Sequence, residues 1–136
     1  MQNIAKIKEV LDSISSIASE YSSCQDKESA ENVRKDIGSV KTNLLKTYNK
    51  CVSERFAMLD PILHSLFNEH FSSLVLSIGD WQQVHDTKVR TRHIDTNTFH
   101  NLRITKIQPI LRQIDRRLLA MNVTLQGLSV VAKRNP

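Results

Sequence analysis

Apolar residues follow an uninterrupted 3,4 spacing near both ends of this chain. The first run extends from Ile4 to Tyr21, and the second extends from Ile107 to Leu128. This spacing places an apolar stripe along one side of a helix and is typical of helices that pack against other helices. Isolated helices of this length are marginal in water, so packing must hold them. The two runs therefore predict an all-α protein.

The middle of the chain predicts two further helices. Apolar residues recur at helical spacing from Ala30 to Leu59, and Asp60-Pro61 then supplies an N-cap and a first-turn proline for a third helix. Apolar residues cover most of the circumference of that third helix, so we expect it to be the most buried. The predicted helices lie near residues 3–22, 27–59, 61–78 and 105–132. We expect them to form an antiparallel four-helix bundle, or a long hairpin with two further helices, with coiled-coil-like seams.

Composition agrees with this fold class. Three Gly and three Pro among 136 residues are too few for the tight turns of an all-β fold. A chain of this length builds one core, so residues 1–136 are expected to form a single domain. Cys24 and Cys51 are too few for a disulfide framework and are expected to be free thiols.

The segment between the third and fourth predicted helices is unusual. Gly79-Asp80 is expected to end the third helix, residues 81–97 lack helical periodicity, and the last helix is expected to start near residue 105, where Thr105 and Gln108 resemble a capping box. These features predict a long basic loop at about 79–104. Loops of this length in compact domains are usually functional or disordered, so this segment is the first place where we expect functional residues.

Basic residues concentrate in the second half of the chain. Residues 61–136 carry ten Lys or Arg against five Asp or Glu, whereas residues 1–60 carry nine of each, so the second half accounts for the formal charge of +5. Arginine pairs well with phosphates and carboxylates. A solvated surface that favours solubility is the simpler interpretation. The residues that we expect to bind nucleic acid or another anion, if the set is functional, are Lys88, Arg90, Arg92, Arg103, Lys106, Arg112 and Arg116.

The last helix is apolar on a second side. Leu119, Val123 and Val130 lie opposite the 3,4 stripe and have no evident packing partner among four helices. Exposed apolar strips mark surfaces that bind proteins, so these three residues are the predicted partner-binding site.

Several kinds of chemistry lack a sequence signature. The five histidines show no four-residue pairing typical of zinc sites, and no CxxC or G-x-S-x-G sequence occurs. We therefore expect no metal, no cofactor, no small-molecule substrate and no enzymatic activity. The N-terminal segment has polar residues at every helical turn, so we expect neither a signal peptide nor a membrane span. An intracellular location, cytoplasmic or nuclear, follows as an expectation.

Two hypotheses for function emerge. The first is a helical protein–protein interaction module, such as an assembly subunit, an adaptor or a small chaperone, that self-associates or docks on a helical partner. The alternative is a nucleic-acid-binding protein in which an oligomeric bundle presents the basic 88–117 region to phosphates.

Overall fold

The computed structural model describes residues 2–91 and 93–134, and these residues form an all-α structure without strands. The four long helices are connected by short helices and π-helical turns. In chain order the elements are α1 (Gln2–Ser22), α2 (Lys27–Cys51), α3 (Arg55–Leu59), α4 (Pro61–Val84), a first π-helical segment (His85–Arg90), α5 (Thr96–Leu102), a second π-helical segment (Arg103–Ile107) and α6 (Gln108–Arg134).

The α1 helix buries the predicted 3,4 stripe from Ile4 to Tyr21. It ends at Ser22, and the chain turns over residues 23–26 before α2 begins. The Asp26 carboxylate caps α2 by accepting a hydrogen bond from the backbone N–H of Ser29 at 2.8 Å. Because the turn is short and α1 packs along α2, the two helices form a hairpin.

The predicted helix at 27–59 is divided in two. The α2 helix ends at Cys51, and the chain turns before the short α3. The predicted start of the next helix is confirmed. The Asp60 carboxylate accepts hydrogen bonds from the backbone N–H groups of Ile62 and Leu63, each at 3.0 Å, and Pro61 occupies the first turn of α4.

The predicted loop at 79–104 is wrong in its first part. The α4 helix continues through Gly79 to Val84, and the first π-helical segment continues the helical path to Arg90. Trp81, His85 and Val89 are fully buried at four-residue intervals, so they extend the core stripe of α4. Because His85 is polar, it is not counted in a pattern of apolar residues, and the sequence therefore predicted that the stripe ends before it.

The second part of the predicted loop is helical from Thr96 onward, whereas residues 93–95 form a non-helical connection. Asp95 caps α5 by accepting from the backbone N–H of Thr98 at 2.7 Å, and the helical path continues through the second π-helical segment into α6. Thr105 is not a cap, since its hydroxyl donates to the Asn101 carbonyl at 2.7 Å. Phe99 and Arg103 are buried in one stripe with Ile107, and a charged residue in the stripe hides its period.

The α6 helix occupies a central position in the helix packing. It packs along α4 and also contacts α1, while α1 packs along α2. Polar contacts join α2 to α4 and to the first π-helical segment. Arg34 donates to both carboxylate oxygens of Asp86 at 2.9 Å, and Lys41 donates to the Gln82 side chain at 2.9 Å. The association of α2 with these segments therefore depends on directed hydrogen bonds as well as apolar packing.

The third predicted helix is not the most buried. Ile62, Leu66 and Leu76 on α4 are exposed, whereas Phe67, Phe71, Leu74, Ile78 and Trp81 face the core. The α4 helix is therefore amphipathic, with additional apolar residues on its outer side.

The helical structure of residues 96–107 can be tested by truncating a core side chain. Phe99→Ala should lower the free energy of unfolding by about 3–5 kcal/mol, because the Phe99 side chain lies on the buried side of α5. Urea unfolding followed by circular dichroism measures the change. Asn97→Ala, at an exposed position of the same helix, is the matched control and should be close to neutral. A small effect of Phe99→Ala would contradict the packing of α5.

Candidate protein-binding surface

The outward side of α6 carries a second 3,4 pattern. We call it the outer strip. All its members are exposed, and they are Arg112, Arg116, Leu119, Val123, Gln126, Val130 and Lys133. The buried stripe of α6 lies on the other side and includes Leu118, Met121 and Leu125. The same helix therefore has one face inside the core and a heptad-spaced face in contact with solvent.

The centre of the outer strip is apolar and accessible. Leu119 is 68% exposed, Val123 is 60% exposed and Val130 is 47% exposed. Singly exposed apolar residues are ordinary on protein surfaces, whereas a contiguous set marks a site of interaction. The sequence prediction named these three residues, and the structure brings them together on one face of α6.

The apolar surface extends toward α4. Leu63 of α4 lies over Gly127 of α6, since a Cβ atom at Gly127 would stand 3.2 Å from a Leu63 methyl group. Gly127 lies between Val123 and Val130 in the chain, so α4 approaches the outer strip closely there. Ile62 and Leu66, which flank Leu63 in the sequence of α4, are also exposed.

The predicted basic residues do not form one surface. Lys88, Lys106, Arg112 and Arg116 are exposed, but Arg103 is buried. Arg92 lies outside the described residues.

Arg90 and Arg103 contact other parts of the fold. Arg90 donates from Nε to a Glu31 carboxylate oxygen at 2.8 Å and lies 3.2 Å from Asp86. Arg103 donates to the backbone carbonyl of Ser22 and to Nδ1 of His100, the latter at 2.9 Å. Both guanidinium groups therefore hold helical segments together, a role that depends on partners distant in sequence and could not be predicted from local patterns.

A buried polar cluster lies where α1, α2 and the first π-helical segment meet. The Tyr21 hydroxyl lies 2.7 Å from Nδ1 of His85, and Nε2 of His85 lies 2.8 Å from a Glu31 carboxylate oxygen. Trp81 packs edge-on against the Tyr21 ring, with ring centroids 5.2 Å apart. His85 therefore bridges α1 to α2 across the core.

The protons in this cluster can be assigned from its charges. Hydrogen bonding from Arg90 holds the pKa of Glu31 at about 2, so Glu31 is an anionic acceptor. Burial lowers the pKa of His85 below its ordinary value, so the imidazole is neutral at neutral pH. Nε2–H must then donate to Glu31, and Nδ1 accepts the hydroxyl proton of Tyr21.

The order of these contacts resembles a catalytic triad, with a hydroxyl, an imidazole and a carboxylate in sequence. A nucleophile must reach a substrate, however, and neither Tyr21 nor His85 has any exposed surface. Burial also raises the pKa of Tyr21, which opposes formation of a phenolate. The geometry therefore supports a structural role for this cluster.

The described residues contain neither a cluster that could hold a metal ion nor a helix that could span a membrane. In the part of the chain that the structure describes, no group of three or more His, Cys, Asp or Glu residues is arranged to hold a metal ion. Within the same residues, no helix combines the length and the apolar character needed to cross a membrane. Cys24 and Cys51 are both buried as free thiols.

Comparisons with known proteins add no relative. No protein-family model matches the chain, and no curated protein or solved structure matches it. Function must therefore be argued from the geometry of the surface.

The polar cluster predicts how stability depends on pH. His85 has a lowered pKa in the fold, so the unfolded chain binds a proton more readily and stability falls as pH drops below about 6.5. Stability from Glu31 is present above its ordinary pKa of 4.5 and is lost as pH falls toward about 2. Urea unfolding at a series of pH values measures both stages.

His85→Gln is the matched variant for the first stage, since an amide can donate to Glu31 and accept from Tyr21 but does not titrate. The wild-type free energy of unfolding should fall by up to about 1.4 kcal/mol per pH unit below pH 6.5, and the variant should fall less steeply. Equal slopes for the two proteins would show that His85 does not cause the effect.

Proposed function

We propose that this chain is a non-enzymatic protein–protein interaction module that docks on a helical partner through the outer strip of α6. The observation that carries the proposal is the exposure of Leu119, Val123 and Val130 on a helix whose other face is already buried. Packing within the described residues does not cover these side chains. Burying them against a partner would contribute about 25 cal/mol for each Å² of apolar surface removed from water.

The spacing of the outer strip supports a helix as the partner. Residues that repeat every three and four positions form the seam of a coiled coil, where side chains of one helix insert between those of another. Assembly subunits, adaptors and small chaperones are classes of protein that use such surfaces.

The finer architecture belongs to the same proposal. We take the packing of α1 with α2, of α4 with α6 and of α1 with α6 to support an antiparallel four-helix bundle with coiled-coil-like inner seams. On this arrangement α6 is a wall of the bundle, and Leu119, Val123 and Val130 of its outer strip remain exposed.

Nucleic-acid binding is the second hypothesis. Lys88, Lys106, Arg112 and Arg116 are exposed and could contact phosphates. Arg103 is buried, and Arg90, although 44% exposed, is paired with Glu31 and Asp86, which reduces the basic surface that this function requires. Binding to phosphates would weaken steeply with salt, whereas docking through an apolar strip would not.

A designed helical peptide tests the proposed function. We would use a fluorescent three-heptad peptide with leucine at its a and d positions and uncharged polar residues elsewhere, and follow its anisotropy. The wild-type protein should bind it at low and high salt, because apolar contact dominates. The double variant Leu119→Asp with Val123→Asp should bind at least about tenfold more weakly, since both side chains lie at the centre of the strip.

Leu76→Asp is the matched control, because Leu76 is an exposed leucine of α4 outside the outer strip. It should retain binding, and circular dichroism should show that all variants remain folded. A peptide that fails to bind, or that binds the double variant equally well, would refute docking at this strip. Binding of an RNA or DNA duplex that is lost at high salt and on Arg112→Glu with Arg116→Glu would favour the second hypothesis.

A further inference from the structure

We infer that the partner helix carries acidic residues on both sides of a central apolar segment. The inference rests on the proposed function and adds the charge of the partner. Along the outer strip the order is two arginines, two apolar residues, Gln126, Val130 and a lysine. Arg112 and Arg116 therefore precede the apolar centre, Lys133 follows it, and no Asp or Glu occurs at the seven positions.

These cations are free to pair with a partner. In the described residues, salt bridges join Lys8 to Asp12 and Arg34 to Asp86. Glu31 pairs with both His85 and Arg90, and Arg90 also pairs with Asp86. Neither Arg112, Arg116 nor Lys133 takes part in them. Within the described residues, Arg34 and Arg90 are paired with carboxylates, whereas the cations of the outer strip are not.

The length of the strip sets the length of the partner. Twenty-one residues separate Arg112 from Lys133, and at about 1.5 Å per residue this corresponds to about 30 Å of helix. A partner that covers the strip therefore needs about three heptads. The acidic residues of the partner should lie before and after its central apolar segment, within about one heptad of each end of that segment, where they can reach the cations.

A second copy of this chain fits the strip poorly. In a parallel pairing of two α6 helices, each cation would lie opposite its own equivalent. In an antiparallel pairing, Arg112 and Arg116 would lie opposite the end of α6 that carries Lys133 and Arg134. Both orientations bring like charges together, which is unfavourable across an interface. The charges therefore favour a different protein over self-association through this face.

An anionic membrane could also attract basic and apolar residues. Interfacial helices have a broad apolar face, however, and the outer strip is a narrow heptad seam. The geometry points to a helix with matched charges.

Three peptides with one shared apolar face test the inference. All have three heptads with leucine at the central a and d positions, and their flanking positions carry glutamate, glutamine or lysine. At low salt the glutamate peptide should bind wild-type protein about tenfold more tightly than the glutamine peptide, since several exposed ion pairs together supply a difference of this size. The lysine peptide should bind most weakly, and high salt should reduce the differences.

The charge-reversed variant Arg112→Glu with Arg116→Glu should lose the preference for the glutamate peptide over the glutamine peptide. Equal affinity of all three peptides for the wild type would overturn the inference and leave the proposed function standing. Failure of all three to bind would overturn both.

Two further measurements address the other occupants of the strip. Light scattering of the protein alone should give the mass of a monomer, and a dimer that Leu119→Asp dissociates would overturn the inference in favour of a second copy. Cosedimentation with vesicles of phosphatidylserine and phosphatidylcholine should be absent. Binding to the vesicles that requires Leu119 and Val123 would overturn the inference in favour of a membrane.

Discussion

The rest of the structure depends on the inner face of α6. Leu118, Met121 and Leu125 are buried there, and α6 contacts both α4 and α1, which in turn packs on α2. A helix in this position must present an unbroken apolar stripe inward, and its 3,4 spacing provides one. The outer strip lies on the opposite face of α6, where Leu119, Val123 and Val130 stay exposed.

Two buried polar side chains explain the unusual part of the fold. His85 and Arg103 occupy core positions at the starts of the two π-helical segments. Burying such groups is costly unless they are hydrogen-bonded, and His85 is bonded to Tyr21 and Glu31 while Arg103 reaches the Ser22 carbonyl. These bonds tie the end of α1 to the helices that follow α4. π-Helical turns often accompany functional sites, but here they accompany buried structural contacts.

The sequence predicted the helices whose core stripes are wholly apolar, and it failed where a polar residue stands in the stripe. The stripes of α1 and α6 and the start of α4 at Asp60 could be predicted, because spacing and capping are local properties. The helical path through His85 and Arg103 could not, since their partners are distant in sequence and no local pattern reveals them. The exposure of Leu119 followed from its position opposite the stripe, whereas the internal contacts of Arg90 depend on Glu31, fifty-nine residues away.

One face of α6 holds the fold and the opposite face does not, and two neighbouring leucines test this division directly. Leu118 is buried and Leu119 is mostly exposed. The measurement is the free energy of urea unfolding of Leu118→Ala and Leu119→Ala, each compared with the wild type. Leu118→Ala should lose about 2–5 kcal/mol, and Leu119→Ala should stay within about 0.5 kcal/mol. A loss for Leu119→Ala as large as that for Leu118→Ala would contradict the division, because the outer strip would then belong to the core.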